Sequence, residues 1–274
     1  MGTQDHIEPF GHYALPSARE RIRASADGCP DNRLGRWRIS LARKRAIKGL
    51  TEPFDIDVAP HVKARLYPSG NRCEKRALAG VQIWDATERN QLRQAVQTGT
   101  EPFIFMDVGA NAGLYSLFVS ADAKAADRPA RIIAIEPSAE MASRLTFNAE
   151  ASGASIELIR SAISDAPGTA YLSGGDSNKG EAQISDTGEP VTVETLAGLC
   201  DRLGLSRISA MKLDIEGHDE RALRAFFRDA PEALHPSLLI AETAQHGSPI
   251  VEMATAQNYF LADATALNVI LKKR

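Results

Sequence analysis

The chain has 274 residues, 43% of them hydrophobic, with a formal net charge of −3 and a pI near 6.1. That length and apolar content support one large buried core with a smaller appended N-terminal piece. The mild acidity argues against a nucleic-acid-coating surface, no apolar run approaches the roughly 20 residues of a membrane span, and the scattered Cys29, Cys73 and Cys200 offer neither a disulfide framework nor a metal site. With no secretory h-region, a reducing, cytoplasmic setting is expected.

Residues 1–30 are polar and weakly periodic, and read as a loose arm. Arg33 to Lys48 is a basic patch in which Arg36, Arg38, Arg43, Lys44 and Arg45 lie beside Leu34, Trp37 and Leu41. It suits an anionic substrate or peripheral contact with a membrane. The commoner alternative, favoured here, is a solvated helix that lays its apolar stripe on the domain. Phe54–Val58 and Val62–Leu66 alternate apolar and polar residues as half-buried strands do. Asp85 stands three residues before Glu88, the spacing of a capping box, and opens a helix through Leu92 and Val96 that Gly99 ends. The expected division is an arm and basic helix (1–54), a β/helix cap (55–100) and a main domain (101–274).

In the main domain, strands and helices alternate. Phe103–Met106 is an apolar run of the kind buried on both faces, ended by Asp107. The turn Gly109-Ala-Asn111-Ala-Gly113 follows, and Leu114 begins a helix. Arg131–Ile135 is a second strand, ending in Glu136-Pro137, and Ser138 caps a helix with Met141, Leu145 and Phe147 inward. Ile156–Ile159 runs into Ser161–Asp165. Gly168–Ser173 reads as a short strand, residues 174–181 as a polar loop, and Val191–Val193 as an extended stretch before a helix from Glu194 to Leu203. Ile208–Leu213 and Leu238–Ala241 are further strands, ending in Asp214 and Glu242, and Tyr259–Leu261 with Leu267–Leu271 form a last hairpin. Strand, glycine turn and helix, repeated, describe a doubly wound α/β sheet with its ligand over the carboxyl ends of the strands.

A dinucleotide fingerprint places a glycine where the backbone must approach a pyrophosphate. Asn111 occupies that place, so the turn suits a ligand without a pyrophosphate. S-adenosylmethionine fits, its carboxylate and ammonium using the turn amides and Asp107. The expected cofactor contacts are Asp107, Gly109, Asn111, Gly113, Glu136, Pro137, Ala162, Ile163 and Asp214. Glu136 falls about 20 residues beyond Gly113, the offset of a ribose-binding acid whose two oxygens accept both hydroxyl hydrogens.

Lys212, Asp214 and Glu216 alternate with Met211, Leu213 and Ile215, which puts the polar groups on one side of an extended strand. A lysine inside a buried strand requires a partner, and Asp214 or Glu216 is the nearest. Asp214 and Glu216 are the first candidates for a catalytic base, then His218. Lys212 is a fourth catalytic candidate, orienting a carboxylate while lowering its basicity. A hard cation on Asp214, Glu216 and Glu242 is a lesser reading, and no metal is assigned.

Asp107-Val-Gly-Ala-Asn-Ala-Gly113, Ile135-Glu-Pro137, Asn148, Met211-Lys-Leu-Asp-Ile-Glu-Gly217 and Glu242 together resemble the FkbM-type S-adenosylmethionine-dependent methyltransferases, over roughly residues 55–272. Arg65-Leu-Tyr-Pro68 and Asn71 are similar to the opening region of bacterial members. The resemblance implies a Rossmann-like class I methyltransferase fold, a seven-stranded, mostly parallel sheet with the last strand antiparallel and helices on both faces, plus the N-terminal β/helix extension. It also implies S-adenosylmethionine as cofactor and a small-molecule or glycan acceptor, usually methylated on a hydroxyl of a sugar or secondary metabolite, rather than a nucleic acid. His218 and Asp219 stand where members carry His or Glu and an acid. Ala264-Thr-Ala-Leu-Asn268 departs from the Arg- and Asn-rich segment often seen before the last strand. Two other readings stay open: an NAD(P)-binding oxidoreductase, against which Asn111 argues, and a binding module that keeps the sheet without the chemistry.

Overall fold

The computed structural model describes residues 7–173, 183–185, 188–215, 217–243 and 249–274. Helices α1 (Ser17–Ala24) and α2 (Arg33–Ile47) precede the hairpin β1 (Phe54–Ala59) and β2 (Val62–Leu66), then α3 (Arg72–Leu78) and α4 (Ala86–Gln97). β3 (Phe103–Val108), α5 (Leu114–Ala125), β4 (Ala130–Ile135), α6 (Ala139–Ser152) and β5 (Glu157–Ile159) begin the wound sheet. β6 (Ala162–Ile163), β7 (Gly168–Ser173), β8 (Gln183–Ser185) and β9 (Glu189–Glu194) form a separate small sheet in the order β6-β9-β7-β8. α7 (Leu196–Arg202), β10 (Ala210–Leu213), α8 (Asp219–Asp229), β11 (Leu238–Glu242), α9 (Pro249–Ala256), β12 (Tyr259–Ala264) and β13 (Asn268–Lys273) complete the chain.

The main sheet has seven strands in the order β12-β13-β11-β10-β3-β4-β5. β11, β10, β3, β4 and β5 run parallel, and β13 is antiparallel to both of its neighbours. Strand order reverses between β3 and β10, so a crevice opens at their carboxyl ends. Alternate residues of each strand serve opposite faces. Phe103, Phe105 and Ile240 pack on one side with Leu92, Val96 and Leu117, and Met106, Met211 and Leu239 pack on the other with Leu199 and Phe226. Burial on both faces is why these strands read as continuous apolar runs. The hairpin residues Phe54, Ile56, Val62 and Leu66 belong to the first of these clusters and cover one face of the sheet, while Ala79 and Ile83 pack separately with Ala26, Cys29, Ile39 and Ala42.

Three local expectations give way to longer-range contacts. First, residues 7–30 are not a loose arm. The Gly11 and Tyr13 amides donate to Asp55 Oδ2 at 2.8 and 3.1 Å, and Arg65 donates to both Asp55 oxygens and the Pro9 carbonyl. The Arg65 guanidinium also stacks on Phe147 and Tyr13, 4.0 and 4.7 Å from the ring centroids. Second, α2 docks through the small or slim residues Gly35, Ile39, Ala42 and Ala46, while Leu34 and Trp37 stay 64% and 59% exposed. Small side chains let the helix lie close to its neighbours, and the bulky stripe faces outward. Third, the capping box at α4 does not form. Asp85 adopts a left-handed conformation with no side-chain cap; its Oδ2 accepts the Tyr115 hydroxyl at 2.9 Å. Glu88 Oε1 accepts from Thr265 and Asn268 at 2.6 and 2.7 Å.

Burial works to raise the Asp55 carboxyl pKa, but Arg65 and the two amides outweigh it and hold the group below the usual carboxylate range. Its contribution to stability is therefore present above the ordinary aspartate pKa and lost as pH falls through the depressed native value. Arg65→Met is expected to destabilise the fold by about 3–5 kcal/mol in urea titrations at neutral pH, since it strands a buried carboxylate. A loss below about 1 kcal/mol, the scale of an exposed pair, would show that the ion pair does not hold the arm.

Candidate active site

The turn between β3 and α5 shapes the crevice. Asp107, 1% exposed, accepts the Ser116 amide and hydroxyl on Oδ2 at 3.0 and 2.7 Å, which ties the strand end to the first turn of α5. Its Oδ1 is buried with no hydrogen-bond partner among the described residues. Gly109 has φ +81°, and a Cβ there would sit 1.8 Å from the Asp214 carbonyl oxygen. Only a glycine lets the turn pass this close to the end of β10. Gly113, expected at the cofactor, faces Leu145 instead: a Cβ would lie 2.6 Å from Leu145 Cγ, and the residue does not line the cleft.

Asn111 takes a left-handed φ of 53°, a conformation asparagine tolerates better than most residues. Its amide donates to Glu136 Oε2 at 2.8 Å, and its Oδ1 accepts from Asn71 Nδ2 at 2.6 Å and the Ala112 amide at 2.8 Å. Gly109 and Ala110 donate to the Ile135 carbonyl, and Gly113 donates to that of Ala110. Every amide from Gly109 to Gly113 thus has an acceptor within the protein. The turn satisfies its own amides in this structure, where the sequence suggested that they meet a ligand carboxylate.

Glu136 accepts the Ser138 amide on Oε1 at 2.9 Å as well as Asn111 on Oε2, and burial pushes its pKa up to about 7. Lys212, in register with Asp107 across β3 and β10, is 5% exposed. Its Nζ donates to Asp214 Oδ2 at 2.7 Å and lies 5.0 Å from the Tyr115 ring centroid. Burial opposes the ammonium charge, but Asp214 and Asp107 outweigh it and raise the lysine pKa. Burial likewise opposes ionised Asp214, yet Lys212, with a hydrogen bond from Glu242, brings that carboxyl below its ordinary value. The pair is therefore charged, and Asp214 is a weakened base.

His218, half-buried at the start of α8, has Nδ1 at 3.5 Å from Ser164 Oγ. Asp219 accepts the Ile215 amide at 3.1 Å and acts locally. Glu216 and the polar loop of 174–182 lie outside the described residues.

The cleft gathers Asp107, Gly109, Asn111, Glu136, Pro137, Ala162, Ile163, Lys212, Asp214, His218 and Glu242. All four acids that end strands, Asp107, Glu136, Asp214 and Glu242, therefore face one space. Sequence reasoning missed the opposite wall, Asn71, Cys73, Trp84, Asp85 and Tyr115. Of these, Asn71 sat in the resembled opening region and Asp85 in a capping-box spacing, and neither was assigned to the site. Tyr115 looked like one more apolar helix residue, and Asp85 like a cap. Leu267 and Asn268, from the segment that departs from the resembled pattern, also line the cleft. Among the described residues no group of His, Cys, Asp and Glu is arranged to hold a metal ion, and no helix is long and apolar enough to cross a membrane.

A sequence profile for the methyltransferase FkbM domain matches residues 107–266, from the carboxylate of β3 to the loop before β13. The chain belongs to the FkbM methyltransferase family. No curated protein matches it. A SAM dependent methyltransferase from Agrobacterium tumefaciens is 13% identical, with 83% of this chain and 71% of that one covered at a TM-score of 0.47. Precorrin-6y C5,15-methyltransferase from Geobacter metallireducens is 13% identical, with 67% and 85% covered at a TM-score of 0.42. TrmK of M. capricolum, in complex with its natural cofactor product S-adenosyl-homocysteine, is 11% identical, with 66% of each chain covered at a TM-score of 0.38. At such identities the family assignment rests on the FkbM domain match.

Glu136 gives this FkbM methyltransferase a pH signature. Its native pKa of about 7 lies above the ordinary 4.5, so between those values the folded chain holds a proton that the unfolded chain has released. Stability without ligand then falls as pH rises through that window, by up to about 1.4 kcal/mol per pH unit from this group. Glu136→Gln is expected to flatten the dependence of melting temperature on pH across the window. Parallel profiles for the two proteins would show that burial does not raise this carboxyl.

Proposed function

We propose that the cleft binds S-adenosylmethionine and that the chain transfers its methyl group to a hydroxyl oxygen of a small-molecule or glycan acceptor of the sugar or secondary-metabolite class. The observation that carries the cofactor reading is Asp107 Oδ1, a buried carboxylate oxygen without a donor among the described residues. Leaving such an acceptor unpaired costs about 1–3 kcal/mol or more, and the α-ammonium of S-adenosylmethionine supplies the missing donor. The chemistry of the residues present fits that ligand. Each Glu136 oxygen keeps acceptor capacity beyond its one backbone amide, enough for ribose hydroxyls. Pro137, Ala162 and Ile163 offer an apolar bed beside it.

When bound, the cofactor would supply an electrophilic methyl group, and holding the acceptor hydroxyl in position against it would be the chain's main contribution. Lys212 keeps Asp107 and Asp214 from repelling each other at adjacent strand ends and fixes the Asp214 carboxylate in place. An acceptor hydroxyl must lose its proton as the bond forms. We assign that proton to His218, ahead of Asp214, because Asp214 is already held by an ammonium while the imidazole of His218 lines the cleft. The acceptor class comes from the family resemblance, supported by the polar wall of Asn71, Asp85 and Asn268.

S-adenosylmethionine should raise the melting temperature, and Asp107→Asn should weaken its binding by about 1–3 kcal/mol in calorimetry. Binding of NAD without binding of S-adenosylmethionine would reverse the assignment in favour of an oxidoreductase. Against an acceptor found by a screen for methyl-sized mass gain, His218→Ala should cut turnover by about 10²–10⁴-fold with cofactor affinity unchanged. A normal rate in that variant would exclude His218 as the base, and Glu216→Gln would then be the variant to assay.

A further inference from the structure

Beyond the cleft, α2 and α3 bring four arginines, Arg36, Arg43, Arg72 and Arg76, to a second cavity of about 550 Å³. Arg72, Arg76, Trp84, Asp85, Leu267 and Asn268 line both this cavity and the cleft, so each space opens beside the other, and of the four arginines Arg43 and Arg76 are close enough to act on each other. Arg43 is half-buried and donates one hydrogen bond, from Nη1 to the Lys75 carbonyl at 3.1 Å. Among the described residues it makes no other hydrogen bond and no ion pair, although a guanidinium carries five N–H donors. Burial, then the neighbouring Arg76, both work against its charge, and no carboxylate is among the influences on it. An arginine in such surroundings keeps its charge regardless.

The carboxylates around this cavity are engaged elsewhere. Asp31 pairs with Arg36 at 2.5 Å, and Glu88 accepts from Thr265 and Asn268. Asp85 accepts the Tyr115 hydroxyl and stands 3.7 Å from Arg76, outside hydrogen-bond distance. Two guanidiniums drawn together from different helices, one without a counter-ion among the described residues, suit an anion with several oxygens. A phosphate offers oxygens to two forks at once and up to two charges to balance them; a lone carboxylate offers a single plane.

We infer that this cavity holds a phosphate group of the methyl acceptor between Arg43 and Arg76, with the acceptor hydroxyl reaching into the adjoining cleft. The inference rests on the cleft being the methyl-transfer site, and it names the acceptor class as phosphorylated. The phosphate has two sources, a soluble sugar phosphate or the headgroup of a lipid. The second is brought into view by Leu34 and Trp37, exposed on the same helix as Arg43.

Calorimetry with inorganic pyrophosphate on the full chain tests it. Saturable binding is expected, weakened about tenfold or more by Arg43→Gln and by Arg76→Gln, and weakened less by Arg43→Lys, which retains the charge but not the fork. An unchanged melting-temperature rise with S-adenosylmethionine in Arg43→Gln would show that this variant is folded with its cofactor site intact. If S-adenosylmethionine fails to stabilise the wild type, the methyl-transfer reading fails by itself, whatever pyrophosphate does. Absence of saturable pyrophosphate binding, or wild-type binding by both Gln variants, overturns the phosphate site. Sedimentation with phosphatidic acid vesicles, compared with phosphatidylcholine vesicles, separates the sources. Selective vesicle binding lost in Arg43→Gln assigns a lipid phosphate; pyrophosphate binding with no selective vesicle binding assigns a soluble one.

Discussion

The ammonium of Lys212, buried in a central strand and facing two carboxylates, is the constraint on which the cleft depends. Removing such a charge from water costs several kcal/mol, and only close opposite charge offsets it. Asp214 meets it at 2.7 Å on its own strand, and Asp107 is its register partner on the neighbouring one. The same arrangement lets two acids end adjacent parallel strands without driving them apart. It also explains why Asp107 can leave one oxygen bare. Lys212 contributes charge across the strand pair while Ser116 occupies only Oδ2, so the second oxygen has no partner among the described residues.

Around that centre, polar contacts from distant segments fix the walls. Asn71 reaches from the cap of α3 to the side chain of Asn111, so the N-terminal region and the glycine turn hold each other's geometry. Asn148, fully buried in α6, accepts the Arg65 amide and donates to the Ala112 carbonyl, which joins the hairpin to the same turn. Glu88 secures the segment before β13 through Thr265 and Asn268. These are buried, mutually satisfied contacts, and each one specifies where a neighbouring element must sit.

The wound sheet was legible in the sequence because its strands are buried on both faces. An apolar run followed by an acid or a glycine turn is compatible with few local structures besides a buried parallel strand, and Asp107, Glu136, Asp214 and Glu242 all occupy the carboxyl edge of the sheet, where that pattern puts them. What was not legible is long-range polarity. Asp85 and Glu88 have the spacing of a local cap, but each finds a better partner far away in sequence, Tyr115 for one and Asn268 for the other. Helical periodicity in α2 marks a stripe without saying whether the bulky or the slim side docks, and here close approach favoured Ile39, Ala42 and Ala46. Gly113 shows the same limit at one residue: the motif requires a glycine, and the structure supplies a reason within the fold, its left-handed φ and the nearness of Leu145.

The division of labour across the Asn71–Asn111 contact has an evolutionary consequence. The stretch matched by the family, 107–266, carries the acids at the strand ends, while part of the facing wall comes from residues 71–85, outside it. Drift in that outer stretch can reshape one side of the chamber without touching Asp107, Glu136 or Lys212, provided the two asparagines stay joined. A fragment trimmed to the matched boundaries would keep the floor and lose a wall.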